Sequence, residues 1–160
     1  VRTRSIAEVY SAIGLLGERL GHPERAHSLI TDLKKERAPR SCATRPRVLI
    51  TLGRNKGSLK NLVAAGRGTY LDELLRLAGG VNVMGSGPAS YPRLSEEELV
   101  GFAPDVILDI VTSGYSKSPW KRVAFRNKVS IVLLTEPTIS SPGVHMGETL
   151  GIMHRAICPH

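Results

Sequence analysis

At 160 residues, 41% of them apolar, the chain is long enough to bury its own core, and no apolar run reaches the ~18 residues that would cross a bilayer. Its net charge of +8 comes from 22 Lys and Arg against 14 Asp and Glu, concentrated early: residues 1–47 hold ten against five, the remainder twelve against nine. Acidic residues interrupt the basic ones, and only four Tyr, two Phe and one Trp accompany them, which describes a solvated helical surface and argues against a nucleic-acid partner.

The first predicted element is a helix carrying Ile6, Val9, Tyr10, Ile13, Leu16 and Leu20 at helical spacing, with Ser5 as its cap and Glu8 at the third position. Gly21 stops it, and Pro23 opens a second helix bearing Ala26, Leu29, Ile30 and Leu33 and ending in the basic cluster Lys34 to Arg37. Residues 38–46 form a linker. From Arg47 onward the pattern changes to short apolar runs alternating with helical segments. RVLITLG is a buried strand, followed by a long loop or broken helix over 53–68 with Arg54, Lys56 and Gly57. Thr69 with Asp72 caps a helix that Gly79-Gly80 ends, VNVMG is a short strand, and Ser95 with Glu98 opens the next helix. DVILDI and KVSIVLLT are two further buried strands, separated by a short helix over 118–125, and the last helix runs from about Val144 to Ile157. The expected fold class is α/β, a mainly parallel sheet with helices on both faces, in a unit over 47–160 that two helices (1–37) and the linker precede.

No catalytic constellation stands out, and an enzyme is not expected. The five histidines include no HExxH pair, the serines at 113, 116 and 118 lack a GxSxG elbow, and GRNKGS lacks the spacing of a phosphate loop. Two cysteines do not close a structural metal site unaided, and no resident metal or cofactor is expected. Cys42 precedes the first strand and Cys158 ends the last helix, so both fall at one end of the sheet. A disulfide there is one reading, which an exported protein would favour, and two buried thiols are the other.

The stretch GRGTYLDELLRLAGGVNVMGSGPASYPRLSEEELVGFAPDVILDI resembles the second lobe of the class III substrate-binding proteins of metal-chelate ABC importers, which carry ferric siderophores, haem and cobalamin. VYSAIGLLGERLGHPERAHSLITDLKK resembles the helix that joins the two lobes in that family, so the resemblance spans the chain and implies a first α/β lobe before Val1. It implies a monomeric periplasmic or extracytoplasmic protein, lipid-anchored through an N-terminus beyond this sequence. Such a protein takes a metal chelate in an inter-lobe cleft and delivers it to the transmembrane dimer of an ABC permease.

Residue by residue, the resemblance places Tyr91, the aromatic before the P-x-L-S-x-E turn, on the ligand cleft, where a flat amphipathic ring suits a macrocycle; packing on its own loop is the plain alternative. It makes Glu97 the carboxylate that docks on the permease, although a carboxylate in a helix's first turn also needs no further reason. The strand-end loops would supply Thr112, Ser113, Tyr115, Thr138 and Ser140, with Arg54 lending positive charge to the cleft. Where the family has Gly-Pro-Arg this chain has Gly143-Val144-His145, so His145 is either a ligand to a chelated metal or an ordinary helix-start residue. Two other readings remain. One is a repurposed lobe acting as a protein-interaction or sensory module. The other is a metallochaperone-like domain using His145, His154 and the cysteines.

Overall fold

The computed structural model describes residues 5–123 and 128–158. Helices α1 (Ile6–Arg19) and α2 (Pro23–Glu36) lead into β1 (Arg47–Thr51), a short β2 (Leu62–Val63), α3 (Tyr70–Leu77) and β3 (Val81–Asn82). Then follow β4 (Arg93–Leu94), α4 (Glu96–Phe102), β5 (Val106–Ile110), a 3-10 turn (Ser118–Arg122), β6 (Ser130–Leu134) and α5 (Met146–Ile157). The expected helix over 118–125 is therefore the 3-10 turn, and residues 124 and 125 lie outside the described residues.

Among the described residues the main sheet has the order β3-β1-β5-β6, with every pairing parallel. The fold is thus α/β with a parallel layer. Strand alternation sorts its side chains to two faces. Val48 and Ile50 of β1, with Val106, Leu108 and Ile110 of β5, join Leu71, Leu74, Leu75, Met146, Leu150 and Met153 from α3 and α5. Leu49 and Ile107 point the other way, onto Leu99 of α4, Trp120 and Leu62 of β2. β1 and β5, central in the sheet, read as unbroken apolar runs because neither side chain set meets water. β6, expected to be buried, lies at the edge and is half-buried apart from exposed Ser130 and buried Leu134.

The capping signals act as their chemistry demands. The Ser5 hydroxyl accepts the Glu8 amide at 3.2 Å, and the Thr69 hydroxyl accepts that of Asp72 at 3.1 Å. At α4 the capping box is complete: Ser95 Oγ accepts the Glu98 amide, and the Glu98 carboxylate accepts the Ser95 amide at 2.8 Å. Those bonds to Ser95 hold the Glu98 carboxyl below the usual carboxylate range, so this cap is present above that range and fades as pH falls through the lowered value.

Two local expectations are corrected. Segment 53–68 is not a broken helix: Leu62 pairs antiparallel with Leu94 and Val63 with Arg93, and Ala64 bridges Thr51. Leu62 and Leu94 each bury an apolar side chain under the main sheet, which two-residue strands achieve without any sequence period to announce them. On α1 only part of the predicted stripe is covered. Ile6 and Val9 join the core, whereas Leu16 and Leu20 are exposed, together with neighbouring Leu15. Besides its core residues, further contacts hold α1. The Glu73 carboxylate of α3 accepts the free Ile6 amide at 2.9 Å, and Gly17 lies so close to Ala26 of α2 that a Cβ there would overlap it.

Candidate functional site

The carboxyl ends of β1, β5 and β6 open into a concavity of about 650 Å³, within the size range of small-molecule sites. Leu52 and Gly53 follow β1, Thr112, Ser113 and Tyr115 follow β5, and Thr135, Glu136, Pro137 and Ser140 follow β6. Gly53 sits at φ 126°, a backbone region that side chains rarely enter, just after β1 ends.

Beneath this surface lies a buried polar network. The Asp109 carboxylate, in mid-β5, accepts Thr51 Oγ1 at 2.8 Å on one oxygen. On the other oxygen it accepts Arg54 Nε at 2.9 Å and Trp120 Nε1 at 2.8 Å. The remaining Arg54 nitrogens donate to the Ser116 carbonyl at 2.7 Å and the Ser58 carbonyl at 3.3 Å. The Tyr115 ring lies 5.1 Å from the guanidinium, and its hydroxyl donates to the Arg54 carbonyl at 3.0 Å. Both charged side chains of this pair are 0% exposed. A buried charge persists only when paired and hydrogen-bonded, and this one is both.

Arg54 therefore occupies a different place from the expected one. It faces inward and lends no charge to the cleft; instead it ties the loop after β1 to the loop after β5 and holds Tyr115 at the concavity. Two of its partners, Asp109 and Ser116, lie 55 and 62 residues away, beyond the reach of local pattern. One signal was nonetheless present in the sequence. An aspartate inside the apolar run VILDI requires a buried cation or donor set, and Arg54 and Trp120 supply it.

Thr112, Ser113, Tyr115 and Ser140 line the concavity, and Glu136, not singled out from the sequence, lines it as well. Thr138 is half-buried in the same loop, where its carbonyl accepts the Ser141 amide at 3.2 Å. Tyr91 stands outside the concavity, 48% exposed, on a strap pinned by Gly66 N–H to the Ser90 carbonyl (2.7 Å) and Ala64 N–H to the Pro92 carbonyl (2.9 Å). His145 is exposed at the start of α5, its Nδ1 3.5 Å from the Glu148 carboxylate, and it too lies outside the lining. Glu97 is exposed in the first turn of α4. Cys42 and Cys158 are joined as a disulfide, with Cα atoms 5.4 Å apart, at the far end of the sheet from the concavity.

The family model described as periplasmic binding protein matches residues 1–118. No curated protein sequence matches the chain. Among solved structures, an ABC transporter substrate-binding protein from Listeria monocytogenes superposes with a TM-score of 0.73 at 24% identity, over 97% of this chain and 65% of its own. A possible iron-binding (periplasmic solute-binding) protein from Staphylococcus epidermidis gives 0.78 at 20% identity, over 98% and 64%. A periplasmic heme-binding protein from Pseudomonas aeruginosa gives 0.73 at 20%, over 98% and 61%. The chain thus spans less than two thirds of each of these proteins, and at such identities the likeness establishes the fold. With its family match running from the first residue through β5, the chain belongs to the periplasmic binding protein family.

Proposed function

We propose that this chain forms the inter-lobe helix and C-terminal lobe of a class III substrate-binding protein, which captures a metal chelate outside the cytoplasmic membrane for an ABC importer. The observation that carries the reading is the concavity at the carboxyl ends of β1, β5 and β6, lined by apolar side chains, hydroxyls and one aromatic and underlain by the Arg54–Asp109 network. The exposed leucines of α1 support a second domain packed against that helix, since Leu16 and Leu20 are 54% and 70% exposed on an otherwise well-packed element. Residues 1–37 then belong to the joint, 38–46 to the linker and 47–160 to the lobe. No helix among the described residues is long and apolar enough to span a membrane, so retention at the surface would require an anchor elsewhere. The chemistry is binding, with no catalytic step assigned to any residue.

The cargo class is a ferric siderophore, haem or cobalamin, contacted by Thr112, Ser113, Tyr115, Ser140 and Glu136, with Tyr91 and His145 reached only if a ligand extends past the concavity. One wall holds a ligand weakly. If two walls bind at nanomolar strength, about −12 kcal/mol, one wall retains roughly half of that, and the dissociation constant falls in the tens of micromolar. Titrating haem, cyanocobalamin and a ferric hydroxamate into this chain, followed by calorimetry, should give binding no tighter than that for any of them. Nanomolar binding by the chain alone would defeat the two-wall reading.

Glu97 is assigned to the permease. Reversing it, Glu97→Lys, should slow association of the two-lobed protein with permease vesicles by about tenfold at low salt, because rim charges act mainly on encounter. Chelate affinity should be unchanged. Equal association rates for both proteins across salt concentrations would reduce Glu97 to a helix-dipole carboxylate.

A further inference from the structure

At the end of the sheet opposite the concavity, four potential donor atoms from three segments converge. Ala78 ends α3, Cys42 lies in the linker before β1, and His154 and Cys158 stand one helical turn apart at the end of α5. The Ala78 carbonyl oxygen is 2.9 Å from His154 Nδ1, 3.5 Å from Cys42 Sγ and 3.7 Å from Cys158 Sγ. Cys158 Sγ is 3.3 Å from His154 Nδ1, and the donor atoms of both cysteines and the histidine all lie within 4.8 Å of one another. A disulfide sulfur has no proton to give, so in the bridged state the imidazole Nδ1–H is the group that donates to the Ala78 carbonyl. That carbonyl also belongs to the last turn of α3, where the helix dipole presents partial negative charge and favours a cation.

We propose that opening the Cys42–Cys158 bridge converts this corner into a binding site for a zinc-class divalent cation. Its ligands are the two thiolates and the His154 imidazole, with the Ala78 carbonyl as the fourth donor. Metal–sulfur bonds of about 2.3 Å and metal–nitrogen bonds of about 2.0 Å put tetrahedral sulfur and nitrogen ligands about 3.5–3.8 Å apart. The two sulfurs, bonded to each other in the bridge, must therefore separate by roughly 1.7 Å once it opens, while the other donors shift less. A dithiol opens the bridge by exchange. The protein S–S bond breaks, the reagent's two thiols become its own cyclic disulfide, and Cys42 and Cys158 each take one proton. Metal entry displaces those two protons to solvent, and the imidazole moves its N–H to Nε2 so that Nδ1 can coordinate. Two thiolates with an imidazole select a thiophilic ion over magnesium or calcium. Cys42 is buried, while His154 and Cys158 are half-exposed and leave an entry path.

The test uses the untagged chain, reduced with a dithiol, desalted without oxygen and titrated with Co2+. The expected result is a thiolate-to-cobalt charge-transfer band with tetrahedral visible bands, saturating at one ion per chain and absent from the bridged protein. His154→Ala, which leaves the bridge intact until reduction, should weaken the reduced protein's cobalt affinity by about tenfold or more and change the visible bands. A reduced, helical protein without a charge-transfer band would overturn the proposal, as would a His154→Ala protein with unchanged affinity and spectrum. Reduced protein that lost its helical circular dichroism and did not regain it with one equivalent of Co2+ would overturn it too.

Discussion

Asp109→Ala should cost the protein about 3–5 kcal/mol of folding stability, the usual penalty for stripping one partner from a buried ion pair. The substitution strands a guanidinium that is 0% exposed, and it also removes the acceptor for the Thr51 hydroxyl and the Trp120 indole N–H. A chain of this size holds about 5–15 kcal/mol in all, so the loss takes a large share and should lower the melting temperature by roughly 10 °C. Urea unfolding followed by circular dichroism gives the number directly. A companion double variant separates a lone charge from a lost contact. Arg54→Met with Asp109→Leu removes both ions, and it should recover part of the loss, because buried pairs replaced by apolar groups are often neutral. Full recovery is not expected, since Arg54 also holds the carbonyls of Ser58 and Ser116. If Asp109→Ala cost less than about 1 kcal/mol, the network would be ornament and the floor of the concavity would have another support.

The second large effect concerns the bridge. Cys42 and Cys158 are 116 residues apart in sequence, so their bond closes residues 42–158 into one loop and leaves only α1, α2 and the start of the linker outside it. In the chain-entropy account a loop of that length is worth about 4–5 kcal/mol, and measured losses for native bridges run about 2–5 kcal/mol. Cys42→Ser should therefore lower the unfolding free energy by about 3–5 kcal/mol, and the variant should no longer respond to a dithiol. The linker itself should stay in place, because the Arg40 amide donates to the Leu77 carbonyl at 2.7 Å and Cys42 packs where a Cβ on Gly79 would otherwise go. Thermal scans with and without dithiol decide the matter. Identical curves would mean that the bridge adds nothing the packing lacks.

How much of this was legible depends on whether the cause was local. VLIT and VILDI identify themselves as buried strands by apolar runs, and Ser5, Thr69 and Ser95 announce helices through an acidic residue three positions on. These are short-range effects, and the structure carries them out. The two-residue strands β2 and β4 are stabilised by what lies across from them, so no period in the sequence predicts them. The exposed side of α1 reads as core because periodicity marks an apolar stripe without saying what covers it. That Thr112, Ser113, Tyr115 and Ser140 share one edge of the sheet was legible because strand-end loops in parallel sheets converge there. Arg54 was misplaced for the opposite reason: its direction is set by Asp109 and Ser116, which only the fold brings near.

With Arg54 withdrawn, the lining of the concavity carries a single carboxylate, Glu136, and no basic side chain, within a chain whose net charge is +8. Attraction and retention are thus separate properties of this molecule. The positive excess acts at a distance on how often an anion arrives, and salt at physiological strength damps it beyond about 8 Å. The concavity itself offers apolar side chains (Leu52, Ile110, Val111, Pro137), hydroxyls, an aromatic ring and one carboxylate, so an anion there would meet hydrogen-bond donors but no opposite charge.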